Sequence, residues 1–170
     1  QRIARSSDRW LLFVEGHGER KPEGIANHDL GEWGKQLQLK GIKFRSLNLA
    51  DTPVVPRNTA ALVIASPQLD YLPGEIAAIQ QFLKEGGNLL WLVEPGKTHG
   101  LQPIAELLNL EFVAGIIVDP NTQLLGIDDP RFAIVSQYSQ HPLTSDFTAV
   151  TIYPQATGIN IKASDQWQHS

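Results

Sequence analysis

The apolar positions of this chain fall into short blocks separated by amphipathic stretches. "WLLFVE" (10 to 15) is a run too brief for a helix, which predicts a buried strand. Residues 29 to 40 carry Leu30, Trp33 and Leu37 on one helical face, with Asn27 or Asp29 to cap the start and Gly41 to end it. "IKFRSLN" (42 to 48) alternates, as a strand nearer an edge does, and the two prolines of "LADTPVVPRN" (49 to 58) make a loop. "AALVIA" (60 to 65) is a third strand. Pro73 opens a helix with Ile76, Ile79, Phe82 and Leu83 on its apolar face, and Gly86 and Gly87 close it.

"NLLWLV" (88 to 93) lacks alternation, which predicts a fourth strand buried on both faces. A short helix around 102 to 108 and a fifth strand in "EFVAGIIVD" (111 to 119) follow. Beyond about residue 120 the alternation decays. "FAIVSQY" and "AVTIYP" are strand-like, with no convincing helix between them. Strands alternating with helices at these lengths predict an α/β fold, with a mainly parallel five-stranded sheet covered by helices on both faces. The expected organisation is an N-terminal tail (1 to 9), an α/β core (10 to 118) and a β-rich extension packed on it (119 to 170). One link strains this scheme, because 49 to 59 offers no helix for a parallel crossover.

Composition narrows the function classes. Apolar residues at 42% and charged residues at 19% belong to a globular chain with a core. The formal net charge is −4 and no run of Lys or Arg forms a stripe, which argues against nucleic acid or an anionic membrane surface as the main partner. Cysteine is absent, so a thiol nucleophile, a disulfide and a Cys-ligated metal are excluded. No apolar stretch approaches the roughly 20 residues that cross a bilayer. The start "QRIARSSDRW" and the end "KASDQWQHS" suggest a piece of a longer chain, whose flanks are expected to carry membrane anchors.

Ligands of an open parallel sheet bind outside the carboxyl ends of its strands. The residues leaving those ends are Glu15, Gly16, His17, Gly18 and Glu19, then Ser66, Pro67 and Gln68, then Glu94, Pro95 and Gly96, and finally Asp119. His141, in "HPLT", joins them as a rigid-turn residue. Three of the four segments bring a carboxylate to one rim. Polar loops also meet water for no functional reason, and Gly16 and Gly18 serve a turn equally well.

Specific chemistries fare less well. A His-x-Glu pair is common by chance, and His28, His99 and His141 share no ligand spacing with His17, so no metal is expected. "EPGKT" (94 to 98) imitates the end of a phosphate-binding loop. The full pattern needs glycine at position 91, which is Trp, so nucleotide binding is rejected and no cofactor is expected. Ser66 lacks the G-x-S-x-G elbow that exposes a nucleophilic serine. The enzymatic alternative is a hydrolase using His17 with Glu19 or Glu94 as acid and base.

Taken in order, "FVEGHGER", "GIKFRSLNLAD", "ALVIASPQ", "IQQFLKEGGNLLWLVEPG" and "HPLT…TIYPQATGI" resemble the extracytoplasmic domain of auxiliary proteins of ABC-type transport systems. This is the family linked with gliding motility in bacteria, and the resemblance runs from about residue 10 to 159. It implies a flavodoxin-like domain of the glutamine-amidotransferase type, held on the periplasmic side of the inner membrane by segments absent here. It also implies a non-enzymatic role beside an ABC permease and ATPase, with a small ligand or protein partner. The catalytic cysteine of the wider fold group has no counterpart. On this reading His17 shapes a recognition rim and is not catalytic.

Overall fold

The computed structural model describes residues 9–138, 141 and 144–162. The expected tail (apart from Arg9), Pro142 and Leu143 of the "HPLT" turn, and the end of the extension lie outside them. The elements are β1 (Trp10–Glu15), α1 (Gly31–Leu39), β2 (Phe44–Asn48), β3 (Thr59–Ala65), α2 (Pro73–Lys84), β4 (Leu89–Leu92), α3 (Gln102–Leu107), β5 (Leu110–Phe112), β6 (Phe132–Val135), β7 (Thr151–Pro154) and β8 (Ile159–Ile161). Two compact units divide the chain. One comprises the residues up to Val93 with Thr98–Ile104, and the other comprises Glu94–Lys97 with the residues from Ala105 onward.

The first unit holds a parallel sheet in the order β2-β1-β3-β4. Alternation along β1 sends Phe13 to one face, where it clusters with Val63, with Leu30 just before α1, and with Trp33 and Leu37 of α1. Trp33 and Phe44 meet the Phe13 ring edge-on at 5.5 and 5.6 Å. Leu12, Val14, Leu62 and Ile64 point the other way and are equally buried, as are Ile79 and Leu83 of α2. Both faces of the central strands are therefore covered, as a parallel sheet requires.

The helix ends follow local chemistry. After α1, Gly41 takes φ +72, while its N–H reaches Gln38 and that of Ile42 reaches Leu37. Gly86 repeats this after α2 with φ +87. The start of α1 departs from expectation. Its N-cap is Leu30, with no side-chain bond. Asp29 turns back instead, accepting Lys21 N–H at 2.9 Å and Ala26 N–H at 3.3 Å. The Lys21 bond foremost holds the Asp29 carboxyl below its ordinary range. Its oxygens therefore fasten a loop rather than cap a helix.

The helix-free crossover is real. From Leu49 to Asn58 the chain passes from β2 to β3 across β1 without a helix. Leu49 and Val55 are buried along it.

Two strand expectations are corrected. β4 is last in the sheet order, and it is not fully buried: Leu90 is 39% exposed, and Leu89, Trp91 and Leu92 are half-buried. Among the described residues the parallel sheet has four strands, not five. Of the anticipated fifth strand only Glu111 and Phe112 lie in a ladder, within β5, which pairs antiparallel with β8. Gly115 at φ +108 breaks the run, and Val113, Ile116, Ile117 and Val118 are exposed. Their apolar character mimicked a buried strand. In the same unit β6 pairs antiparallel with β7. A 3-10 turn at Pro120–Leu125, capped by Asp119, has no counterpart in the hydrophobic pattern.

Candidate functional site

The loop leaving β1 is pulled against the loop leaving β3. The His17 carbonyl accepts the N–H groups of Gln68 at 2.7 Å and Leu69 at 3.0 Å, and Arg20 N–H reaches the Ala65 carbonyl at 2.9 Å. This contact needs glycine beside the histidine. Gly18 has φ +77, and a Cβ there would sit 3.0 Å from the Gln68 Cβ. Ser66 makes the corner on the opposing loop, buried and at φ +51, a conformation that costs a non-glycine residue energy. The Gln68 side-chain amide donates back to the Ser66 carbonyl at 2.9 Å.

The backbone clamp turns the His17 imidazole inward, and its residue is only 8% exposed. Nε2 lies 3.0 Å from Oε2 of Glu75, and Nδ1 lies 3.5 Å from Oε1 of Glu19. The Tyr71 ring stacks on the imidazole at 4.1 Å, 16° from parallel. The Tyr71 hydroxyl donates to Glu19 Oε1 at 2.5 Å, while Glu19 Oε2 accepts the His17 N–H at 2.8 Å. Glu75 Oε2 also accepts Leu72 N–H at 2.7 Å. That is the reach of a third-position glutamate back to the start of its own helix.

Four polar side chains thus close on one another beneath the surface. Both carboxylates are almost wholly withdrawn from water, with side-chain exposures of 2% and 3%. Nε2 lies nearest Glu75, while Nδ1 and Glu75 Oε1 are buried without hydrogen bonds. Burial foremost, then the bond to Glu19 and the charges of Glu19 and Glu75, push the Tyr71 hydroxyl far above the ordinary tyrosine range. The two carboxylates meet opposite nitrogens of one ring, so no single point lies within ligand distance of all three. Among the described residues no cluster of three or more His, Cys, Asp or Glu side chains is arranged to hold a metal.

Of the sequence candidates, Gly16, His17, Gly18 and Glu19 come together with Ser66, Pro67 and Gln68 in the first unit. Glu15 is half-buried at the end of β1. Glu94, Pro95, Gly96, Asp119 and His141 belong to the second unit. There Asp119 accepts N–H bonds from Asn121 at 2.9 Å and Ile134 at 3.3 Å, and the His141 carbonyl accepts from Thr144 and Ser145.

Sequence reasoning missed Tyr71 and Glu75. The signal for Glu75 was present, because Pro73 sets the helix start and places a glutamate where it reaches back to the cap. The layer that meets solvent above the network is different in kind. Gly16, Gly18 and Gln68 are exposed there, and Leu69 and Leu72 are open to water at 62% and 58%.

Among solved structures the chain is similar to one titled "mmIFT52 N-terminal domain", with 16% identity and a TM-score of 0.65. The match covers 89% of this chain and 72% of that one. At that identity the likeness concerns the fold alone. Comparison with curated proteins gives no match. The family described as "ABC-type uncharacterized transport system" matches residues 9–160, the span that holds the parallel sheet and the His17 network, and the chain belongs to that family.

Proposed function

We propose that this chain is a non-enzymatic recognition or scaffolding domain of an ABC-type transport system, acting on the extracytoplasmic side of the membrane beside its permease and ATPase. The family supports the transport setting. The observation that carries the non-enzymatic part is the fate of the acid–base groups. His17 and Glu19 are buried, and Glu19 is bonded to Tyr71 and to the His17 backbone. A general base needs an open side facing the proton it removes, and neither group has one here. The network works instead as a rigid seat for the layer above it.

That layer, with Gln68, Leu69 and Leu72 around two exposed glycines, suits a protein partner better than a small polar ligand. Flat exposed leucines gain by burial against another apolar surface. The strand order β2-β1-β3-β4 is that of the first four strands of a flavodoxin-like sheet, which supports the finer fold reading and the placement of recognition at the carboxyl ends. The β-rich second unit is then an extension of that fold.

The test is copurification from membranes. The full-length parent should carry its permease with it, and Leu69→Ser with Leu72→Ser should remove the permease while leaving the melting transition unchanged. Retention of the permease by that variant would sink the assignment of the surface. Turnover of an ester or glycoside panel, lost in Glu19→Gln, would revive the hydrolase alternative.

A further inference from the structure

β1 to β4 are all parallel, so their first residues share one edge of the sheet, opposite the His17 loop. The chain segments that reach this edge are separate in sequence: 9 to 10, 40 to 45, 57 to 59 and 84 to 88. They bring Arg9, Lys40, Lys43, Arg45, Arg57 and Lys84, against the single acid Glu85. From residue 33 to 50 the chain has four cations and no acid, although its formal net charge is −4. No basic stripe is visible along the sequence because the topology, and not the order of residues, gathers these charges.

The edge is also apolar at its surface. Leu39 is 79% exposed and Ile42 is 40% exposed. The Trp10 ring lies under the Arg45 guanidinium at 5.1 Å and the Lys43 ammonium at 5.8 Å. Trp10, Gln38, Ile42, Lys43 and Phe44 line a depression of about 320 Å³ between them. The negative end of a helix dipole accounts for Lys40 and Lys84. It does not account for Arg9, Lys43, Arg45 and Arg57, nor for two aliphatic side chains left in water.

We propose that this edge docks on an anionic phospholipid surface. The cations would meet headgroup phosphates, Leu39 and Ile42 would enter the acyl boundary, and Trp10 would sit at the interfacial level, which is where each residue type is favoured. Nucleic acid would use the cations and the indole but has no place for exposed aliphatic side chains. The His17 rim lies at the other end of these strands. The inference does not depend on what that rim recognises.

Sedimentation with vesicles tests it. The 170-residue chain should bind vesicles of equal parts phosphatidylglycerol and phosphatidylcholine at low salt, and not vesicles of phosphatidylcholine alone. Lys43→Gln with Arg45→Gln should weaken binding about 25-fold, from about fivefold per cation. Leu39→Ser with Ile42→Ser should weaken it about tenfold. These side chains are at the surface, so the melting transition of both variants should match the parent. Failure of the parent chain to bind, or equal binding by the neutralised variant, overturns the proposal. So does a serine variant with undiminished binding when heparin or duplex DNA is bound as tightly as the vesicles, because the edge would then be a general polyanion surface.

Discussion

Tyr71 lies flat on the His17 imidazole, with ring centroids 4.1 Å apart, and its hydroxyl reaches past the ring to Glu19. One aromatic side chain therefore fixes both the face of the histidine and the carboxylate beside it. The glycine-flanked histidine is thereby the buried keystone between the loop after β1 and the start of α2.

His17→Ala should be costly. A polar side chain at an exposed loop end would lose under about 1 kcal/mol on truncation. Here the change strips Glu75 of a partner and uncovers the Tyr71 ring, both out of water, so a loss of about 2 to 4 kcal/mol is expected. Urea unfolding measures it, and an unchanged midpoint would show that the network contributes nothing to the fold.

Tyr71→Phe keeps the stack but leaves a Glu19 oxygen unpaired and buried, at a cost of about 1 to 3 kcal/mol. The same hydroxyl governs alkaline behaviour. Its folded pKa is raised above the unfolded value of about 10, so the folded chain keeps a proton that the unfolded chain gives up. Stability from this group is full below about pH 10 and is lost as the pH rises further. The urea midpoint of the parent should fall above that pH more steeply than that of Tyr71→Phe. Parallel declines would contradict the assignment.

Two helix glycines should respond in opposite ways to alanine. At Gly74, in the first turn of α2, a methyl meets open space, and helix propensity predicts a gain of about 0.5 to 1 kcal/mol. At Gly34, within α1, a methyl would lie 1.9 Å from the Pro22 carbonyl oxygen. That clash should reverse the sign, costing about 1 to 3 kcal/mol. Thermal melts of the two variants decide it.

Val55→Ala should cost about 1 to 3 kcal/mol, although Val55 lies in a loop between two prolines, because its side chain is buried along the helix-free crossover. A surface-loop response, within about 0.5 kcal/mol, would mean that the crossover is not a packing element.

The parallel strands were legible because Leu12 to Val14 and Leu62 to Ile64 are apolar on both faces, and α1 and α2 because Trp33, Leu37, Ile79 and Leu83 recur at helical spacing. The pattern failed where apolarity and burial part company. Val113 to Val118 has the composition of a core strand and lies at the surface, while β8 is three residues whose pairing depends on a distant partner. For the site, the "GHGE" loop announced itself by its glycines. Tyr71 and Glu75 did not, since their role comes from where α2 begins in space, more than fifty residues from His17.

The helix-free crossover also bears on how the molecule assembles. β1-α1-β2 and β3-α2-β4 are each a strand, a helix and a neighbouring parallel strand, so each half draws its pairings from one stretch of chain. Within the parallel sheet, among the described residues, the β1–β3 ladder joins the halves, and the link between them is about ten residues with two buried anchors, Leu49 and Val55. So short a tether keeps the two halves at high effective concentration once either has formed, and closing it costs little entropy. Joining the halves is then a local search rather than a long-range encounter, and it brings the His17 loop onto the Gln68 loop in the same event.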